Sequence, residues 1–106
     1  MKMTIIAVSA VALAGSFGSA FAAGDAAAGK TKYAVCAGCH GPTGAGNDVL
    51  KYPKLTGLEE AYVAQQLHDF KSGKRNTPQA ATMKAMTAGL NDADIDNLAA
   101  YVATLK

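Results

Sequence analysis

The feature that most constrains this 106-residue chain is the stretch VCAGCHG, Val35 to Gly41. It holds the chain's only two cysteines, Cys36 and Cys39, two residues apart, with His40 directly after the second. A disulfide across so short a gap closes a very small loop and removes little chain entropy. Yet a domain of this size, about 84 residues once the apolar N-terminus is set aside, buries only roughly 60% of its unfolded surface and usually needs a staple. If the thiol pair stabilises the fold, it does so by holding something else.

The folded part starts late. After Met1 and Lys2, residues 3–22 are small and apolar and close on Ala20-Phe21-Ala22, the small-x-small pattern at which a secretory signal is cut. Residues 1–22 read as an export signal and Ala23 as the first mature residue. An uncleaved anchor is the alternative, because the apolar run nearly spans a bilayer. The mature part, residues 23–106, keeps nine basic and eight acidic side chains. That balance lacks the basic excess of a nucleic-acid binder.

Helical periodicity then organises the chain. Asp25 is placed to cap a helix through AAAGKTKYAVCAGC, where Gly29, Tyr33 and Cys36 recur at helical spacing. HGPTGAGND breaks it, and loop is expected from there to Gly57. LEEAYVAQQLHDFKSG predicts a second helix, with Glu59 and Glu60 in the first turn, Lys71 in the last and Gly73 as its stop. Val63, Leu67 and Phe70 form its stripe. Residues 74–90 start as loop, with a short helix after Pro78. NDADIDNLAAYVATLK predicts a last helix, capped by Asn91 and apolar along Ile95, Leu98, Ala99, Val102 and Leu105. No segment alternates like a strand. The expected fold is all-α, three main helices plus one short one, with long loops that need a large apolar object to wrap.

Cys-x-x-Cys-His is the attachment signature of c-type heme. Each thiol can add to one vinyl group of the same porphyrin, and the adjacent imidazole can reach the iron from that face. Three other uses of the cysteines fit less well. A thioredoxin-type pair wants a βαβ context and has no need of His40. A zinc site wants more ligands, and only His68 remains. A plain disulfide, which export would permit, leaves His40 unexplained. One covalently bound heme c through Cys36 and Cys39, with His40 on the iron, is the expectation.

The sixth iron position decides what such a heme does. Methionine thioether favours the reduced iron, as in electron-transfer cytochromes. The mature chain has two methionines, Met83 and Met86, and spacing alone does not choose between them. His68 is a third candidate, although its setting between Leu67 and Asp69 suits a solvated side chain.

CAGCHG, then YPKLTG, YVAQQLHDFKSGKR, a methionine and LNDADIDNLAAYVATL resemble, in order and spacing, the class I c-type cytochromes, in particular the small bacterial monohaem proteins and one half of the dihaem ones. The resemblance covers essentially all of residues 23–106. It implies the class I cytochrome c fold and a ligand methionine eight residues before the polar opener of the last helix, which is Met83 before Asn91. Met83 lacks the proline that often follows that ligand, which keeps Met86 open. The resemblance also implies packing of Gly29 and Tyr33 against Leu98 and Tyr101, and a carbonyl at Pro53 that accepts the imidazole N–H of His40.

With both axial positions filled, the iron has no vacant place for substrate. The expected function is a monomeric periplasmic one-electron carrier and not an enzyme, docking with redox protein partners, a donor and an acceptor. Lys51, Lys54, Lys71, Lys74, Arg75 and Lys84 offer a basic docking surface, or else a merely solvated face. The alternatives are a heme subunit of a larger oxidoreductase, or a gas- or peroxide-reactive heme with a labile sixth ligand.

Overall fold

The structure, a computed structural model, describes residues 23–106; the expected export signal, residues 1–22, lies outside the described residues. Four helices follow in order: α1 (Ala26–His40), α2 (Glu60–Ser72), α3 (Ala80–Thr87) and α4 (Asp92–Val102). Among the described residues the only β pairing is one isolated bridge, Asn47 with Tyr52. The fold is all-α, as expected.

The first and last helices start where a side chain satisfies the first N–H groups. Asp25 is extended, and its carboxylate accepts from the backbone N–H of Ala27 at 2.9 Å and of Ala28 at 3.4 Å. Asn91 and Asp94 form a reciprocal capping box at the head of α4. α2 has no side-chain cap at Glu59, but Gly73 stops it in the left-handed conformation, φ +83°. The Lys71 ammonium donates to the Leu90 carbonyl and so ties the end of α2 to the approach to α4.

α1 crosses α4 at Gly29. A Cβ there would lie 1.9 Å from the Asn97 carbonyl oxygen and 2.9 Å from Tyr101 Cβ, so only glycine allows the two backbones to meet. One turn on, the rings of Tyr33 and Tyr101 tilt together with centroids 5.1 Å apart. The core is Tyr33, Val63, Ala64, Ile95, Leu98, Ala99 and Val102, with Leu67 and Leu105 packed against it. The expected apolar stripe of the last helix is therefore the face that packs.

α4 stops at Val102, four residues before the expected end. The Thr104 hydroxyl donates to the Tyr101 carbonyl at 2.6 Å, and Thr104 and Leu105 N–H groups bond three residues back rather than four. That tightening ends the α-helix. The Leu105 carbonyl then accepts from Gly57 N–H at 3.0 Å.

The long segment between α1 and α2 is irregular but not loose. The His40 carbonyl accepts from Gly46 N–H at 2.8 Å, Asn47 and Tyr52 exchange bonds of 2.7 and 2.9 Å, and Leu55 N–H reaches the Gly44 carbonyl at 2.7 Å. Gly46 sits at φ +71°, and a Cβ on it would come within 2.6 Å of the Tyr52 carbonyl. The chain folds back on itself there, which carries Pro53 to the end of α1.

Candidate heme site

The last two turns of α1 deliver Cys36, Cys39 and His40 together. Cys36 is half-buried, Cys39 is exposed, and both are free thiols. Burial, with a smaller contribution from neighbouring Cys39, pushes the Cys36 thiol up from its ordinary value. It therefore stays protonated near neutral pH, which slows the thiolate attack that would close a disulfide.

His40 is 6% exposed. Its Nδ1 lies 2.8 Å from the Pro53 carbonyl oxygen. A carbonyl only accepts, so Nδ1 carries the proton and Nε2 keeps its lone pair for a metal. The hydrogen bond expected between these two residues is present. Its origin is the fold-back at Gly46, which the sequence motif does not reveal.

Three adjoining cavities, with empty volumes of about 830, 600 and 680 Å³ including their open mouths, border this end of α1. Pro53 and Met83 line all three. Cys36 and His40 line two of them and Cys39 one. The largest is walled by Leu55, Leu58, Val63, Leu67, Leu98 and Val102. Two thiols, an imidazole nitrogen with a free lone pair and a thioether around one apolar cleft fit a covalently held heme: soft and borderline donors line the two cavities that the cysteines and His40 share, and the one carboxylate, Asp48, lines only the third.

The three sixth-ligand candidates separate. Met83 and Met86 stand one turn apart on α3, but Met83 is half-buried and borders every cavity, whereas Met86 is 43% exposed and borders one. The Met83 carbonyl accepts a 2.8 Å bond from the hydroxyl of buried Thr87, which steadies its turn. His68 is absent from the walls of these cavities. Its Nδ1 faces Asp92 Oδ1 on α4 at 3.9 Å.

Two expected docking cations have other work. Lys71 is committed to the Leu90 carbonyl. Arg75 is half-buried, stacks over the Phe70 ring with Cζ 4.5 Å from its centroid, and donates from Nη1 to Gln66 Oε1 at 2.8 Å. With Gln66 it lines the largest cavity, so it belongs to the cleft and not to an open basic face. Nothing in the sequence separated Arg75 from the surface lysines; its place follows from the left-handed turn at Gly73. Tyr33 also joins the site unforeseen, lining the largest cavity and donating from its hydroxyl to the Gly41 carbonyl at 2.6 Å.

A helical domain that turns two free thiols and a carbonyl-oriented histidine into one apolar cleft is built around a covalently attached porphyrin. The cytochrome c family model matches residues 26–106, and the chain belongs to the cytochrome c family. Its cofactor is heme c, and the relatives it matches are named cytochromes c or electron acceptors. Cytochrome c4 of Pseudomonas aeruginosa is 42% identical over 104 residues, 98% of this chain and 50% of that protein. Cytochrome c-554(547) of Halothiobacillus neapolitanus is 47% identical over 93 residues, 79% of this chain and 100% of that one. A thiosulfate dehydrogenase electron acceptor of Thiomonas intermedia is 42% identical over 76% of this chain and 36% of its own. The crystal structure of reduced recombinant cytochrome c4 from Pseudomonas stutzeri superposes with a TM-score of 0.72 at 34% identity, covering 80% of this chain and 53% of that one. The chain thus spans about half the length of the cytochrome c4 relatives. Among the described residues no helix is long and apolar enough to cross a membrane.

Proposed function

We propose that residues 23–106 form a monomeric periplasmic domain that shuttles single electrons between redox proteins, with residues 1–22 as its export signal. One heme c would be tethered through Cys36 and Cys39, and His40 and Met83 are the residues that would hold its iron. Bound there, the heme supplies a one-electron couple. The chain supplies everything that keeps that couple simple. The Nδ1–H bond to Pro53 fixes the imidazole plane and makes Nε2 a better donor. The Met83 thioether favours the reduced state and, with His40, leaves no position for substrate. Keeping the same two donors in both oxidation states keeps rearrangement small. Arg75 and Gln66 would hold a propionate, the only anionic substituent a heme has, while the leucine and valine walls keep water out.

The observation that carries this reading is the shared placement of His40 and Met83 on the same two cavities, with Met86 exposed and His68 turned to Asp92. Met83→Ala is expected to abolish the weak near-infrared sulfur-to-iron charge-transfer band of the oxidised protein and to lower its potential. Met86→Ala is expected to leave both intact, and the reverse pattern would move the ligand to Met86.

A fixed heme subunit is the second reading. Its support is that the match covers only 36% of the thiosulfate dehydrogenase electron acceptor and half of cytochrome c4. Co-elution with an oxidoreductase in size exclusion from the native periplasm would favour it over the free carrier.

A further inference from the structure

The tip of the turn between Asn47 and Tyr52 breaks two rules of soluble proteins at once. Val49 is 90% and Leu50 58% exposed, side by side at the tip. Lys51, which follows, sits at φ +59°, the left-handed conformation usually left to glycine or asparagine. The turn is nevertheless rigidly built: Lys51 N–H bonds to the Asp48 carbonyl, Leu50 N–H to Asn47 Oδ1 at 3.1 Å, and Asn47 and Tyr52 close it below. A fixed, apolar, strained tip is where a local rule is broken for function.

Its surroundings say what it meets. Lys51 lines the cavity that also holds Cys39, and the exposed Val35 and Met86 line that same cavity. The residue that follows the tip, Lys51, thus borders the heme cleft in company with two further apolar side chains. Lys51 and Lys54 are exposed next to it, and no ion pair between them and a carboxylate is formed among the described residues. From Gly41 to Leu58 the only acidic residue is Asp48; the others belong to Asp25 and to the α2 and α4 segments.

We infer that Val49 and Leu50 form a preformed docking knob that inserts into an apolar recess on a redox protein, with Lys51 and Lys54 set against carboxylates on the recess rim. The charge of the rim selects an acidic protein over a second copy of this chain, which would bring lysines against lysines. The inference rests on the carrier reading and names the chemistry of the partner's face.

The test uses the heme-loaded protein. Electron transfer from its reduced form to plastocyanin, an acidic copper protein serving as the probe, is followed by stopped flow over a salt series, with hexacyanoferrate(III) as a small oxidant that needs no apolar contact. The double substitution Val49→Ser, Leu50→Ser is expected to lower the plastocyanin rate constant about 5-fold at every salt concentration. The hexacyanoferrate rate, the absorption spectrum and the melting temperature should stay as in the wild type. Lys51→Gln with Lys54→Gln is expected to flatten the salt dependence. A double serine variant as fast as wild type would overturn the docking role. So would a wild type that reacts with hexacyanoferrate but not with plastocyanin, or a wild-type dimer in sedimentation velocity that the serine substitutions dissolve, since the tip would then serve a second copy. Failure of the wild type with both oxidants would instead remove the carrier reading underneath.

Discussion

Gly29 and Gly38 lie on the same helix and make a matched pair with opposite expected signs. A Cβ at Gly29 would stand 1.9 Å from the Asn97 oxygen, 2.5 Å from its carbonyl carbon and 2.9 Å from Tyr101 Cβ. Van der Waals contact needs about 3.5 Å, so α1 has to back away from α4 by roughly 1.5 Å. Two of the three atoms are backbone, so no rotamer change relieves the clash. The retreat also loosens the Tyr33–Tyr101 pair, worth about 0.5–1.5 kcal/mol, on top of the usual overpacking cost of about 1–3 kcal/mol. Better helix propensity returns up to about 1 kcal/mol. Gly29→Ala should therefore destabilise by about 1–3 kcal/mol, lowering Tm by roughly 4–20 °C for a domain of this size. At Gly38 a Cβ meets nothing within 4 Å. Gly38→Ala should stabilise by about 0.4–1 kcal/mol, through propensity and a less flexible unfolded chain. Thermal unfolding of both heme-loaded variants, followed by circular dichroism, checks the pair. Equal effects, or a stabilised Gly29→Ala, would refute the close crossing of α1 and α4 as the constraint.

Other consequences are equally direct. Burial first, then the neighbouring Cys36 and Tyr101, push the Tyr33 phenol above its ordinary 10.0. The unfolded chain then ionises before the folded one, so the contribution of Tyr33 is complete below pH 10 and is lost as pH rises through the folded value. In guanidinium titrations the stability gap between wild type and Tyr33→Phe should be about 1 kcal/mol at pH 8 and should narrow above pH 10; a constant gap would contradict the assignment. Asp25→Ala removes the α1 cap and should cost about 1 kcal/mol, read as a lower denaturant midpoint. Thr87→Val leaves the Met83 carbonyl without its side-chain donor. It should lower stability by about 1 kcal/mol and weaken the charge-transfer band, whereas an unaltered band would deny Thr87 a part in holding the turn of Met83.

The parts of this protein that were legible in the sequence are those written in local chemistry. The Asp25 and Asn91 caps, the Gly73 stop, the α4 stripe and the cysteine spacing are each fixed by residues within a few positions of one another, and each stands where expected. The end of α4 was misread because Thr104 competes for a carbonyl inside the helix, an effect weaker than the apolar period that surrounds it. Arg75 was grouped with Lys51 and Lys54 because charge alone is visible in a sequence. Its guanidinium leaves the surface only because Gly73 turns the chain left-handed and Phe70 offers a ring face beneath it. Sequence registers the cation, but long-range packing decides whether it meets solvent or a cofactor. The same holds for the proximal bond: His40 and Pro53 are thirteen residues apart, and what joins them is a backbone crossing at Gly46 that tolerates no side chain. The attachment motif is therefore local and the orientation of its histidine is not. A CxxCH motif grafted onto another helix would keep the thiols and lose the control of the ring.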